Sequence, residues 1–477
     1  MRFIPNLLAM AVAATIAMPF AAADDTATLL AELKRLAQRI EALEQQNREM
    51  EKSLNTERIS EKEPELATRL KAVEAQTLSM QKQARQIEVL EGITVGASIT
   101  GVVQNVNKDG AASRARESLA NYRGDVSVTL PGGEMGDIEG KIFTHLRFGQ
   151  GNGVGLRPTY TSTPNTTAFQ VAGNPAAPTP ADDSFAILAQ AWYQLAVPLP
   201  RDGVKADARE RLDLTFGKID PFVFFDQNSA ADDESAKFMN NVFVHNPLLD
   251  SGGDVGTDAY GFAPGAIVQY VNEQEKGSEW GLSLGVFGSG SGANFTGSVS
   301  RPLMIAQAET AARFNYLPGN YRAYLWSNGR ASDYDGVERR HSGIGFSADQ
   351  KVADALNLFG RYGQQIDGKV RFDRALTVGG ELDGNGWARA ADSLGIAFGV
   401  LRTSSDYRNE SALFDLNGDG ALDAQASGWE KQVEFYYRYK INSRFELTPD
   451  FQLIRRPDGD GTGPTIKVAG LRAKIGF

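Results

Sequence analysis

From Gly92 onward the sequence keeps a period of two, and this rhythm confines most of the chain to strands with unlike faces. The run Asp137–Phe148, DIEGKIFTHLRF, shows it plainly. Ile138, Gly140, Ile142, Thr144, Leu146 and Phe148 form an apolar or small register, whereas Glu139, Lys141, His145 and Arg147 charge the other. In a soluble sandwich the apolar register would be the core. In a membrane barrel it would face lipid, and the charged register would line a wet interior.

Several features favour the second arrangement. The chain has 477 residues, more than one compact soluble core of ~250–300 residues usually holds. It opens on a basic residue, Arg2, followed by the apolar run Ile4 to Phe20 and then Ala21-Ala22-Ala23, which reads as an export signal over residues 1–23. No later stretch approaches the ~18 apolar residues of a spanning helix. Further alternating runs occur at Ile93–Ile99, Val126–Leu130, Ala191–Val197, Leu212–Phe216, Trp280–Val286, Leu356–Leu358 and Val433–Tyr439. Between them short turns alternate with long polar loops, as in outer-membrane barrels. The closing stretch GLRAKIGF ends on phenylalanine, the usual last residue of such barrels, with Arg472 and Lys474 in its inward register. We therefore expect an all-β transmembrane barrel at residues 92–477.

Residues 24–91 have a different period. Leu29, Leu36, Leu43 and Met50 interleave with Leu33, Ile40, Asn47 and Leu54 at steps of four and three, a coiled-coil seam with a buried amide at Asn47. Pro64 interrupts it, and a second seam runs from Leu66 to Ile87. Self-association as a periplasmic homo-oligomer is expected, and three strands would suit a barrel-forming partner; a helical hairpin packed on itself is the alternative.

Composition excludes other classes. With no cysteine, thiol catalysis and disulfides are ruled out, and three scattered histidines leave no hydrolytic triad in view. A net charge of -10 does not fit a nucleic-acid binder. No cofactor is required. Asp415, Asn417, Asp419 and Asp423 stand at positions 1, 3, 5 and 9 of a calcium-loop spacing, but Ala426 replaces the glutamate at position 12. Weak calcium binding or an ordinary turn are both open.

The stretch Gly217–Pro247, GKIDPFVFFDQNSAADDESAKFMNNVFVHNP, resembles the carbohydrate-selective porin family of OprB type. The resemblance continues through Ala191-Trp192-Tyr193, Pro318–Arg322, Leu358–Gly363 and Trp387 with Arg389 and Asp392, and it is strongest in the last portion. It covers most of residues 92–477, but not the coiled coil or Gly149–Asp183. It implies roughly sixteen antiparallel strands around an aqueous channel in the cell outer membrane, carrying monosaccharides or small oligosaccharides. An anion- or phosphate-selective pore is the main rival; an enzyme or an envelope tether is a weaker one.

The inward registers nominate Lys141, His145, Arg147, Gln190, Trp192, Gln194, Arg322, Arg361, Glu434, Tyr436 and Arg438 as lining residues, with Trp192 or Tyr436 offered to the flat face of a sugar. Asp226–Asn241 is too polar to face lipid. We expect it to fold inward and narrow the pore, with Asp226, Asp232, Asp233 and Glu234 as its acidic residues and Phe224, Phe225 and Phe238 packed against the wall; a loop on the outside is the alternative.

Overall fold

The computed structural model describes residues 92–161, 163–169, 184–199, 209–250, 254, 260–289, 300–413, 422 and 425–477, together with residue 45. The export signal, the coiled-coil region and Asp415, Asn417, Asp419 and Asp423 lie outside the described residues.

Sixteen antiparallel strands close into one barrel in sequence order, with β1 pairing β16. The first eight are β1 (Thr94–Val106), β2 (Glu117–Met135), β3 (Ile138–Gln150), β4 (Phe185–Pro198), β5 (Glu210–Ile219), β6 (Ala263–Asn272), β7 (Trp280–Phe287) and β8 (Leu303–Phe314). The rest are β9 (Leu317–Ser332), β10 (Glu338–Ala353), β11 (Leu356–Asp367), β12 (Phe372–Asp383), β13 (Ser393–Thr403), β14 (Trp429–Lys440), β15 (Phe445–Arg455) and β16 (Ile466–Gly476). Closure matters because an open sheet edge would leave N–H and C=O groups facing hydrocarbon. Here Ala97 and Phe477 exchange both backbone hydrogen bonds at the seam.

The turns divide by end. At one end β2 and β3 are joined by Gly136-Asp137, where a φ of 64° at Gly136 suits the first position of a tight hairpin turn. Asn315 and Tyr316 both take positive φ between β8 and β9, as a two-residue hairpin requires. At the other end lie the long connections, including those after β3, β5 and β13. Short periplasmic turns and long external loops are the usual arrangement of such barrels.

The two faces settle the ambiguity of DIEGKIFTHLRF. Leu146 is 50% exposed on the outside, as are Phe435, Phe451 and Leu471 at 41–45%. The intervening Glu434, Gln452 and Arg472 are buried inside. Oil is outside and charge inside. Every apolar register named above faces outward in its strand: Val95 and Ile99, Leu282 and Leu284, Leu358, and Phe435 with Tyr439 are all exposed there.

Candidate functional site

The interior is not an open tube. After β5 the chain turns into the lumen. Asp220 caps a short 3-10 turn, Pro221–Val223, accepting a hydrogen bond from the Phe222 N–H at 3.0 Å. Phe225 then packs edge-on to Phe287 of β7, and Phe238 lies among Phe243, Phe359 of β11 and Tyr436 of β14. Between these apolar anchors the backbone reverses at Asp226, which takes a left-handed φ of 54°, a conformation aspartate tolerates better than most residues.

Polar contacts then tie this segment to walls on both sides. The Asp226 N–H donates to Gln307 of β8 at 2.9 Å. Arg472 of β16 donates to the Glu234 and Lys237 carbonyls at 3.0 and 2.8 Å. Strands β8 and β16 are eight steps apart in a ring of sixteen, so the segment crosses the barrel. Arg361 of β11, fully buried, reaches Asp226 at 3.2 Å, Asp232 at 2.5 Å and the Phe243 carbonyl at 2.7 Å. Glu434 of β14 accepts from the Met239 and Asn240 N–H groups at 2.6 and 3.0 Å. Asp226–Asn241 thus lies inside the barrel, and Phe224, Phe225 and Phe238 are buried there, Phe224 against Trp192 of β4.

A second segment enters beside it, which the sequence did not reveal. Residues 151–161 and 163–169, following β3, also cross the lumen. Tyr160 stacks on Phe372, its N–H donates to Glu430 of β14 at 3.0 Å, and its hydroxyl meets Thr403 of β13. The Pro164 carbonyl accepts from Gln104 of β1 and Gln452 of β15. The two segments join through Thr166 N–H to the Met239 carbonyl and Asn241 N–H to the Thr163 carbonyl.

Between them and the wall lies a cavity of about 930 Å³. Its cations are Arg123, Arg147, Arg322 and His245; its carboxylates are Asp220, Asp232, Glu234 and Asp250. The cations are held by acids. Arg123 meets Asp125 at 2.8 Å and Glu234 at 2.9 Å, Arg147 meets Asp125 at 2.9 Å, and Arg322 meets Glu309 and Asp349 at 3.3 Å. His245 stacks flat on Phe222, with centroids 3.8 Å apart, and contacts Asp250 at 2.9 Å. Burial alone would lower its pKa, but Asp250, with Asp232 and Asp220 behind it, raises it to about 9. Burial pushes Asp232 up to about 6 despite the nearby Arg361.

The sequence-derived lining residues divide into two groups. Arg147 and Arg322 border the cavity, and His145 sits behind Arg147, sharing Asp125 at 2.9 Å. Gln190 accepts from the Asp220 N–H, Gln194 donates to Thr215, and Arg438 meets Glu381 at 3.1 Å. Arg361, Glu434 and Tyr436 point inward but are covered by the crossing segment. The expectation that Trp192 or Tyr436 offers a ring face to a solute is corrected here. Trp192 is stacked on Phe143 at 4.8 Å, meets Phe224 edge-on at 5.8 Å and carries Lys141 over its ring. Tyr436 is sealed under Phe238 and donates to Glu381. Asp233 lies 3.7 Å from Lys474 of β16. Reading the sequence missed Arg123, Asp125, Asp220, Phe222, His245 and Asp250. The first two were legible as the inward register of β2.

A sequence profile described as carbohydrate-selective porin, OprB family, matches residues 66–477. No curated protein sequence matches the chain. Among solved structures, Pseudomonas putida OprB at high pH is 17% identical, with a TM-score of 0.63, over 83% of this chain and 96% of that one. The outer membrane channel DcaP of Acinetobacter baumannii is 13% identical, with a TM-score of 0.46, over 81% and 97%.

Proposed function

The chain belongs to the carbohydrate-selective porin family of OprB type, and from that premise we propose how its channel handles solute. It is an outer-membrane porin through which sugars diffuse, a channel rather than an enzyme. We place the selective passage at the cavity between the two crossing segments and the wall at β2, β3 and β9. The observation that carries this reading is charge balance: the arginines there are already engaged by carboxylates. A paired guanidinium keeps N–H donors for hydroxyls but has little net field with which to concentrate anions. Sugar hydroxyls both donate and accept, so alternating guanidinium and carboxylate edges offer several weak, successive contacts. Weak contacts permit entry without trapping.

This pairing weighs against the anion- or phosphate-selective alternative. Liposome swelling with a panel of monosaccharides, disaccharides and phosphate tests it, with reversal potential in a salt gradient alongside. Sugar-driven swelling with near-zero reversal potential is expected; strong chloride or phosphate selectivity would overturn the proposal. For residues 24–91 we propose a periplasmic coiled coil that joins copies of the chain, following an export signal at 1–23.

A further inference from the structure

The outer face of the barrel carries a second charged feature, separate from the channel. At the long-loop end of β12 to β16, the lipid-facing register turns basic: Arg374, Arg402, Lys431, Arg455 and Lys467, one on each successive strand. These residues continue the outward registers of Leu376, Phe398, Phe435, Phe451 and Leu471, so they belong to the exterior and not to the lumen. The row runs against a chain charge of -10.

Its register is unusual. Arg374 is directly opposite Arg402 on the neighbouring strand, and Lys431 is directly opposite Arg455. Like charges at opposed positions destabilise a sheet unless an anion lies between them. Arg402 has an internal one, Asp373 at 2.5 Å. No carboxylate among the described residues lies within ion-pair reach of Arg374, Lys431, Arg455 or Lys467. Two residues further into the membrane on each strand, the same face is Leu376, Val400, Val433, Leu453 and Ala469. Trp429, 46% exposed, stands at the level of Arg402, as an interfacial aromatic does. Four strand spacings make the row about 19 Å wide.

Anionic groups above and acyl chains below define the ligand. We infer that this face binds a phosphorylated glycolipid of the outer leaflet, of lipid A type, with its phosphates bridging the opposed cations and its chains lying on the apolar residues beneath. A free phosphate would use only the upper half of the site, and a protein partner would not need the lower half in hydrocarbon.

Native mass spectrometry of the full chain in mild detergent tests this, with bisphosphoryl lipid A, monophosphoryl lipid A and phosphatidylglycerol as probes. The wild type should hold the bisphosphoryl form most tightly, the monophosphoryl form less and phosphatidylglycerol least. The triple variant K431Q/R455Q/K467Q should lose bisphosphoryl lipid A binding by at least about tenfold, since charge-assisted contacts are the strong ones. R444Q, at the turn end, should change nothing. Sugar flux should be unaffected in both, which separates failure of this site from failure of the channel reading. Equal binding by the triple variant would overturn the inference. So would equal affinity of the wild type for all three lipids, a comparison that holds even if the variant does not insert.

Discussion

Replacing Arg361 with methionine should open the channel without dismantling its wall. The side chain is fully buried and bonds Asp226, Asp232 and the Phe243 carbonyl, three points on the crossing segment. Methionine fills much of the space but leaves Asp226 buried and uncompensated, accepting only from Asn246 N–H and Tyr324 hydroxyl. Stripping one partner from a buried ion pair costs ~3–5 kcal/mol. The wall keeps its own hydrogen bonds, so the cost falls on docking of the segment. A loss of ~4 kcal/mol shifts the docked-to-undocked ratio by roughly a thousandfold. Planar-bilayer recordings should show larger, flickering conductance, and limited proteolysis should cut within 226–246. Adding D226N should restore part of the docking, because it removes the stranded charge. Unchanged conductance and unchanged proteolysis in R361M would refute the claim that this arginine holds the segment.

Deleting Ser229–Ala236 removes Glu234 and Asp232 with their bonds to Arg123 and Arg361; single-channel conductance should rise, and an unaltered value counts against a narrowing role. The raised His245 pKa of about 9 gives a pH signature: the stabilisation is complete below the free-histidine value of ~6.5 and is lost as pH climbs through about 9. Protease sensitivity of the segment should therefore increase between pH 7 and 10 in the wild type and stay flat in H245Q. From the proposed coiled coil, the full chain should run as an oligomer on native electrophoresis and the chain lacking residues 26–91 as a single barrel; an oligomer that persists without them would place the contact elsewhere.

The wall was readable because lipid enforces one rule at every outward position. Leu146, Phe435 and Leu471 must all be apolar, and period two places them without knowledge of any partner. Inward positions were readable as positions but not as pairs. Glu434 finds Met239 and Asn240, and Arg472 finds Glu234, through contacts that span much of the chain. The second crossing segment escaped because its run Thr159–Thr167 looks like a solvated loop. Its hydroxyls and carbonyls are matched inside the barrel by Asn121, Gln104, Gln432 and Gln452, which no local pattern signals. Trp192 and Tyr436 were misjudged for a related reason: a phenylalanine-rich insert covers the very rings that a solute would otherwise meet.

The crossing segments lean on the first strand through Gln104 and on the last through Arg472. Their foothold is therefore incomplete until the cylinder is sewn shut between Ala97 and Phe477. A break at that join would part the two strands that carry these footholds, so whatever loosens the seam loosens the sieve with it.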